Sequence, residues 1–300
     1  MTDHWSQTSE IAHLAAAGHR VIAPDLPGFG ASDKPTDLEQ YKVPRVVAVL
    51  CALLDQLKVA GKVVVVGHDC GAAVAWAMAL MQPGRVRQLA VLSVGFPGIV
   101  FCANPKQREP SWYMLFFQHP EAEALLAADD WALLRQLLGK NSSEEEVQDY
   151  IDVLSQPEAE ALLAADDWAL LRQLLGKNSS EEEVQDYIDV LSQPGALTAG
   201  LSWYRSNLDQ IALAAMKPTP PSTKLHMLVM GLWSDGEAYL TKEGMTTSRV
   251  VVTGGFFFCK RIEGAGHWMM RDASAKVNAA QADFVAAGLD PDVVMYADLM

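Results

Sequence analysis

The stretch VVVVGHDCGAAVAWAMAL, from Val63 to Leu80, decides the fold of this chain. Its four successive valines are typical of a strand that is buried on both faces, and the small and apolar residues after Gly71 predict a helix. Between them lies a tight G-x-D-x-G turn. Because glycine has no Cβ, the backbone can reverse sharply at Gly67 and Gly71, and the side chain of Asp69 is expected to stand above the sheet.

Asp69 is the first candidate for a catalytic group, although an aspartate in such a turn can also serve as an ordinary Asx turn. A serine that attacked a saturated carbon would form an ether, which is a dead end. A carboxylate would form an alkyl ester, which water can hydrolyse. The residue at this position therefore indicates the opening of a carbon–oxygen or carbon–halogen bond.

Composition excludes several classes of protein. With 300 residues, of which 50% are hydrophobic, the chain can bury a large core in one or two domains. No apolar run approaches the roughly 20 residues of a membrane span, and the first residues do not resemble a secretory signal. The net charge of −14 without a basic cluster argues against nucleic acid as a partner. The four cysteines have no C-x-x-C spacing, so we expect reduced thiols and a cytoplasmic location.

Part of the acidity comes from an exact internal repeat. Residues 120–156 and 157–193 are identical, and each copy of 37 residues holds nine acidic and two basic side chains, a net −7. A chain with one copy would therefore carry −14 + 7 = −7. The repeat could enlarge a binding surface, but two undiverged copies favour a recent duplication or a sequence-assembly artefact without a selected role. We expect one copy to pack and the other to bulge outward.

Strand and helix patterns alternate along the chain, which predicts an α/β fold with a largely parallel sheet covered by helices on both faces. The core is predicted from residues 1–98 and 213–300. Residues 99–212 show only amphipathic helical patterns and are predicted to form an inserted helical cap. The predicted strands are 20–24, 62–67, 88–94, 224–232 and 256–262, and the predicted core helices are 9–17, 44–57, the one after Gly71, and 272–286.

Five segments resemble the epoxide hydrolase branch of the α/β-hydrolases, over nearly the whole chain apart from one repeat copy. They are Val21–Pro35, the G-H-D-x-G turn at Gly67–Gly71, Ser111–Gln118, Leu201–Asn207 and Gly264–Trp268. The resemblance implies hydrolysis of a small apolar epoxide to a vicinal diol by water, without a metal or an organic cofactor. No sequence feature indicates an oligomeric state.

The resemblance also implies roles for particular residues. Asp69 would be the nucleophile, and His267 would activate water. The acid that orients His267 would follow the strand ending near Trp233, where Asp235 and Glu237 are candidates. Aligning Gly236–Leu240 with the G-D-x-x-L pattern of the family favours Glu237, although aspartate is commoner at that position. The remaining implied groups are the ring-opening tyrosines Tyr113 and Tyr204, the Cys70 backbone N–H as oxyanion donor, and the pocket residues Trp112, Phe116, Phe117, Trp203 and Phe96. His68 is interpreted as structural, with its ring bonded to nearby backbone.

The alternative to an epoxide hydrolase is a dehalogenase of the same fold, which also uses an aspartate nucleophile. Haloalkane dehalogenases commonly carry a tryptophan directly after the nucleophile, and fluoroacetate dehalogenases carry an arginine, whereas this chain has Cys70. Two cap tyrosines suit an oxygen leaving group that needs a proton. A halide needs none.

The N-terminus departs from the family pattern. Members begin with strands that this sequence does not show, and the H-G-x-P loop that donates a second oxyanion N–H is absent from it. Losing one such donor costs on the order of 10²–10³ in rate. We therefore expect a gap in the middle of the sheet, with residues 20–24 either paired directly to 62–66 or detached. On this view the chain is a truncated hydrolase of poor stability and impaired catalysis.

Overall fold

Six parallel strands form one sheet in the computed structural model, which describes residues 9–98, 196–208, 224–237, 240–253, 256–288 and 293–297. The strand order across the sheet is β1-β6-β2-β3-β4-β5, and the paired strands are all parallel. This arrangement confirms the predicted α/β fold. The strands are β1 (Arg20–Ile22), β2 (Val63–His68), β3 (Val86–Leu92), β4 (Leu228–Ser234), β5 (Phe257–Ile262) and β6 (Val293–Ala297).

Helices cover both faces of the sheet, as the sequence predicts. Val63 and Val65 of β2 face one hydrophobic cluster, built with α2 and α3. Val64 and Val66 face the other, built with α1, α6 and α7. Each of the four is at most 2% exposed, which explains why β2 is a continuous apolar run and not an alternating one. The helices are α1 (Ser9–Ala16), α2 (Val43–Gln56), α3 (Cys70–Met81), α4 (Ala196–Asn207), α5 (Lys242–Thr247), α6 (Met269–Asp272) and α7 (Ser274–Ala287), with short 3-10 helices at Leu38–Tyr41 and Ser248–Val251.

The expectation of a gap in the sheet, with residues 20–24 either paired directly to 62–66 or detached, is wrong. Strand β6, near the end of the chain, lies between β1 and β2 and is parallel to both. Val294 pairs with Val21 on one side and with Val64 on the other. The physical reason is that the facing edges of β1 and β2 carry backbone N–H and C=O groups that need partners within the covered sheet. Val294 and Met295 give this strand apolar side chains that pack in the two hydrophobic clusters on opposite faces of the sheet.

The end of the predicted cap contacts the core through α4. The Asn207 amide donates to the Tyr41 carbonyl oxygen at 2.8 Å and accepts from the Val43 N–H at 2.9 Å. Ser206 donates to the Leu38 carbonyl oxygen at 2.8 Å. These bonds join α4 to the segment that leads into α2. Both repeat copies and most of the predicted cap lie outside the described residues.

Candidate active site

The turn after β2 has the strained geometry that the sequence predicts. Asp69 has a backbone φ of +49°, a conformation that side chains rarely adopt and that costs on the order of 1–3 kcal/mol. A Cβ on Gly67 would lie 2.7 Å from the Gly71 carbonyl carbon and 2.8 Å from the Ala72 nitrogen. Gly67 is therefore required by the close approach of the chain to itself. The Asp69 side chain, 29% exposed, remains accessible at the carboxyl edge of the sheet.

His267 lies between two carboxylates. Its Nε2 is 3.8 Å from Asp69 Oδ1, and its Nδ1 is 2.9 Å from Glu237 Oε2. The Glu237 side chain is only 5% exposed, and that of His267 is 13% exposed. Since a carboxylate only accepts, the short bond requires a proton on Nδ1 and leaves Nε2 of a neutral ring able to accept one.

Asp235, the other candidate acid, lies elsewhere. Its Oδ1 accepts the Gly264 N–H at 3.0 Å, and its Oδ2 is 3.4 Å from an Arg261 guanidinium nitrogen. The side chain is 41% exposed. The two acids diverge because Asp235 lies in the turn directly after β4, whereas Glu237, two residues later, is directed back towards the sheet edge. Glu237 is thus the carboxylate that contacts the imidazole.

The loop before His267 is held on several sides. The Gly236 N–H donates to the Ala265 carbonyl oxygen at 3.0 Å. The Gly266 N–H donates to Asp272 Oδ2 at 2.7 Å. Ser234 Oγ donates to the Gly266 carbonyl oxygen at 2.7 Å. Such fixed backbone gives the imidazole one position relative to Asp69.

The other predicted site residues are divided between described and undescribed parts of the chain. Cys70 is the half-buried first residue of α3. Tyr204 is half-buried on α4, while its neighbour Trp203 is 3% exposed and donates from Nε1 to the Pro27 carbonyl oxygen at 3.0 Å. Phe96 packs edge-on against Trp76, with ring centroids 5.7 Å apart. The four that lie outside the described residues are Trp112, Tyr113, Phe116 and Phe117.

The cysteines within the described ranges, Cys51, Cys70 and Cys259, are free thiols. Partial burial raises the pKa of the Cys51 thiol above the ordinary value, which disfavours the reactive thiolate. Within those ranges no cluster of three or more His, Cys, Asp or Glu side chains is suited to hold a metal ion. No described helix is both long enough and apolar enough to cross a membrane.

A family model described as the alpha/beta hydrolase family matches residues 2–280. The chain belongs to this family. The hydrolase is 31% identical over 290 residues to Epoxide hydrolase A of Mycobacterium tuberculosis, an alignment that covers 94% of this chain and 86% of that protein. It is 29% identical over 281 residues to AB hydrolase superfamily protein YfhM of Bacillus subtilis, covering 90% and 82%.

The crystal structure of Epoxide Hydrolase A from Mycobacterium thermoresistibile matches the hydrolase with a TM-score of 0.65 and 28% identity. The match covers 95% of this chain and 88% of that one. The hydrolase is thus an epoxide hydrolase-like member of its family, as the motifs predict.

Sequence reasoning missed two serines of the hydrolase that contact the His267 loop. Ser234 is the last residue of β4, and Ser93 directly follows β3 and donates to the His267 carbonyl oxygen at 3.3 Å. Both follow the rule that functional side chains gather at the carboxyl ends of parallel strands. The signal that could have found them is a small hydroxyl residue at the carboxyl end of each of the two strands, β3 and β4, that follow the nucleophile strand in the order of the sheet.

Proposed function

We propose that this hydrolase opens epoxides to vicinal diols through a covalent ester on Asp69, which His267-activated water then hydrolyses. The observation that carries the proposal is the alignment of three side chains. Glu237 binds Nδ1 of His267, and Nε2 of the same ring lies 3.8 Å from the Asp69 carboxylate. The relatives named epoxide hydrolase support the substrate class.

In the first step an Asp69 oxygen attacks an epoxide carbon from the side opposite the ring oxygen. The C–O bond breaks, its electron pair stays on the oxygen, and a carbon–oxygen ester bond forms. We assign Tyr204 and Tyr113 as the hydrogen-bond donors to that developing alkoxide, and one of them supplies its proton. Donors aimed at charge that appears only in the transition state lower the barrier without tightening substrate binding.

In the second step water attacks the carbonyl carbon of the Asp69 ester. His267 Nε2 takes the proton of the water, and Glu237 stabilises the resulting imidazolium. The Cys70 backbone N–H, at the start of α3, is the proposed donor to the oxyanion. Collapse of this intermediate breaks the carbonyl carbon–oxygen bond to the alkyl group. The leaving oxygen of the diol takes the proton back from His267, the second proton of the water returns to the tyrosine that gave one up in the first step, and the Asp69 carboxylate is regenerated.

The proposed substrate pocket is lined by apolar side chains. Trp112, Phe116, Phe117, Trp203 and Phe96 are the proposed walls, which suits an apolar or aromatic epoxide. The side chain of Trp203 packs against Tyr41 and Phe29 and is only 3% exposed, so it can contribute only a small part of its ring to a pocket.

The test is to trap the ester. His267→Gln keeps a polar side chain of similar length but removes the base, so incubation with styrene oxide should give a stable covalent adduct, mapped to Asp69 by mass spectrometry. Asp69→Asn in the same background is the matched control and should give none. Absence of an adduct in His267→Gln, with the protein folded by circular dichroism, would refute the proposal.

A further inference from the structure

Asp69, His267 and Glu237 form the proposed catalytic triad. Two buried side chains outside this triad donate to one backbone oxygen of the loop that carries His267. His68 Nε2 lies 3.0 Å from the His267 carbonyl oxygen, and Ser93 Oγ lies 3.3 Å from the same atom. Both residues are 3% exposed. A carbonyl oxygen has two lone pairs, so the two donors together can saturate this acceptor.

The two donors come from adjacent strands. His68 ends β2, one residue before Asp69, and Ser93 follows β3. Since β2 carries the nucleophile, the bond from His68 ties the position of His267 directly to that of Asp69. The rings of His68 and His267 also lie against each other, with centroids 4.8 Å apart. Backbone and ring of His267 are therefore both held from the nucleophile strand.

The bond also fixes the protonation of His68. A carbonyl oxygen can only accept, so Nε2 of His68 must carry a proton.

The backbone of Ser93 is strained in a way that serves this contact. Its φ is +64°, and the Val94 N–H bonds the Leu92 carbonyl oxygen at 2.8 Å across it. This is a γ-turn with a positive central φ, a rare and strained form. A glycine would adopt it without cost. Strain of this kind at a non-glycine residue marks sites where the position of a side chain matters, and here the side chain is the donor to His267.

We propose that Ser93 and His68 are positioning residues that hold His267 in line between Glu237 and Asp69 for the water-activating step. The inference rests on the proposed function. In that mechanism His267 takes no proton while Asp69 opens the epoxide. Loosening its backbone should therefore slow ester hydrolysis and leave alkylation unchanged.

The decisive comparison is Ser93→Gly with Ser93→Ala. Both variants lose the hydroxyl donor, but only glycine relieves the positive φ, so Ser93→Gly should melt at a higher temperature than Ser93→Ala. One neutral hydrogen bond corresponds to a rate effect of roughly 3- to 10-fold. Both variants should hydrolyse the ester more slowly by that factor, in spite of their different stability. His68→Phe, which keeps a ring against His267 but removes the donor, should show the same selective slowing.

The measurement is rapid-quench intact mass spectrometry with styrene oxide, which gives the rate of ester formation in the first turnover and the fraction of ester at steady state. Normal formation with raised steady-state ester in all three variants supports the inference. If Ser93→Gly and His68→Phe turn over the ester at the wild-type rate, while His267→Gln accumulates it, the positioning role is wrong and the proposed function stands. If His267→Gln forms no ester, the proposed function itself fails.

Discussion

Replacing Glu237 with glutamine should separate the two chemical steps of the proposed reaction. At 2.9 Å, and with an effective dielectric constant of about 20, a carboxylate attracts an imidazolium by about 6 kcal/mol, which is an upper bound. Each 1.36 kcal/mol is a factor of ten in rate, so the lost charge can slow water activation by at most about 10⁴-fold. Glutamine keeps an acceptor oxygen but can also turn its amide towards Nδ1 and favour the wrong tautomer.

We therefore expect Glu237→Gln to slow ester hydrolysis by about 10²- to 10⁴-fold, with ester formation little changed. The ester should become the main form of the enzyme at steady state, measured by rapid quenching and intact mass spectrometry with styrene oxide.

Asp235→Asn is the matched control, because asparagine can still accept the Gly264 N–H. Its ion pair with Arg261 is exposed, and such pairs contribute roughly 0–1 kcal/mol. This variant should hydrolyse the ester at a rate within about two-fold of that of the wild type. Accumulation of ester in Asp235→Asn and not in Glu237→Gln would refute the assignment of the acid. Wild-type kinetics in both would refute the triad.

Three further predictions concern stability and the repeat. Gly67→Ala should lower the melting temperature and abolish ester formation, since its Cβ would meet the backbone of the turn. Gly61→Ala, where a Cβ meets nothing within 4 Å, should do neither. Equal melting curves for the two variants would contradict the turn geometry. Met295→Ala should lower the free energy of unfolding, measured with denaturant, by about 2–5 kcal/mol because this β6 side chain is fully buried. The side chain of Met81 is 47% exposed, so Met81→Ala should cost less than about 1 kcal/mol. An unchanged unfolding midpoint for Met295→Ala would show that β6 does not occupy the sheet. Deleting residues 157–193 changes the net charge from −14 to −7 and should leave ester formation intact. The measurement is the covalent adduct formed by His267→Gln in the shortened chain. Loss of that adduct would mean that the second copy of the repeat has a role.

Local signals in the sequence predicted the parts of the molecule that depend on local chemistry. The valine run, the two glycines and the apolar helix after them are sufficient to define the turn that presents Asp69, because the backbone constraint and the burial both act within a few residues. The alternation of strands and helices likewise indicated the parallel sheet. His267 is predicted as the base because its glycine-rich loop, Gly264–Trp268, resembles that of the family and follows the last strand predicted from the sequence.

Contacts between distant segments were decided only by the tertiary structure. The resemblance favours Glu237 over Asp235 without excluding either, and only the path of the chain after β4 brings Glu237 to the imidazole. Val293–Ala297 lies between β1 and β2 because a distant segment has to pair with the edges of both strands, and no local pattern shows which segment does so. The shared acceptor of Ser93 and His68 exists only because β2, β3 and the loop after β5 end side by side. Sequence therefore specified the reactive carboxylate, and packing decided which groups surround it.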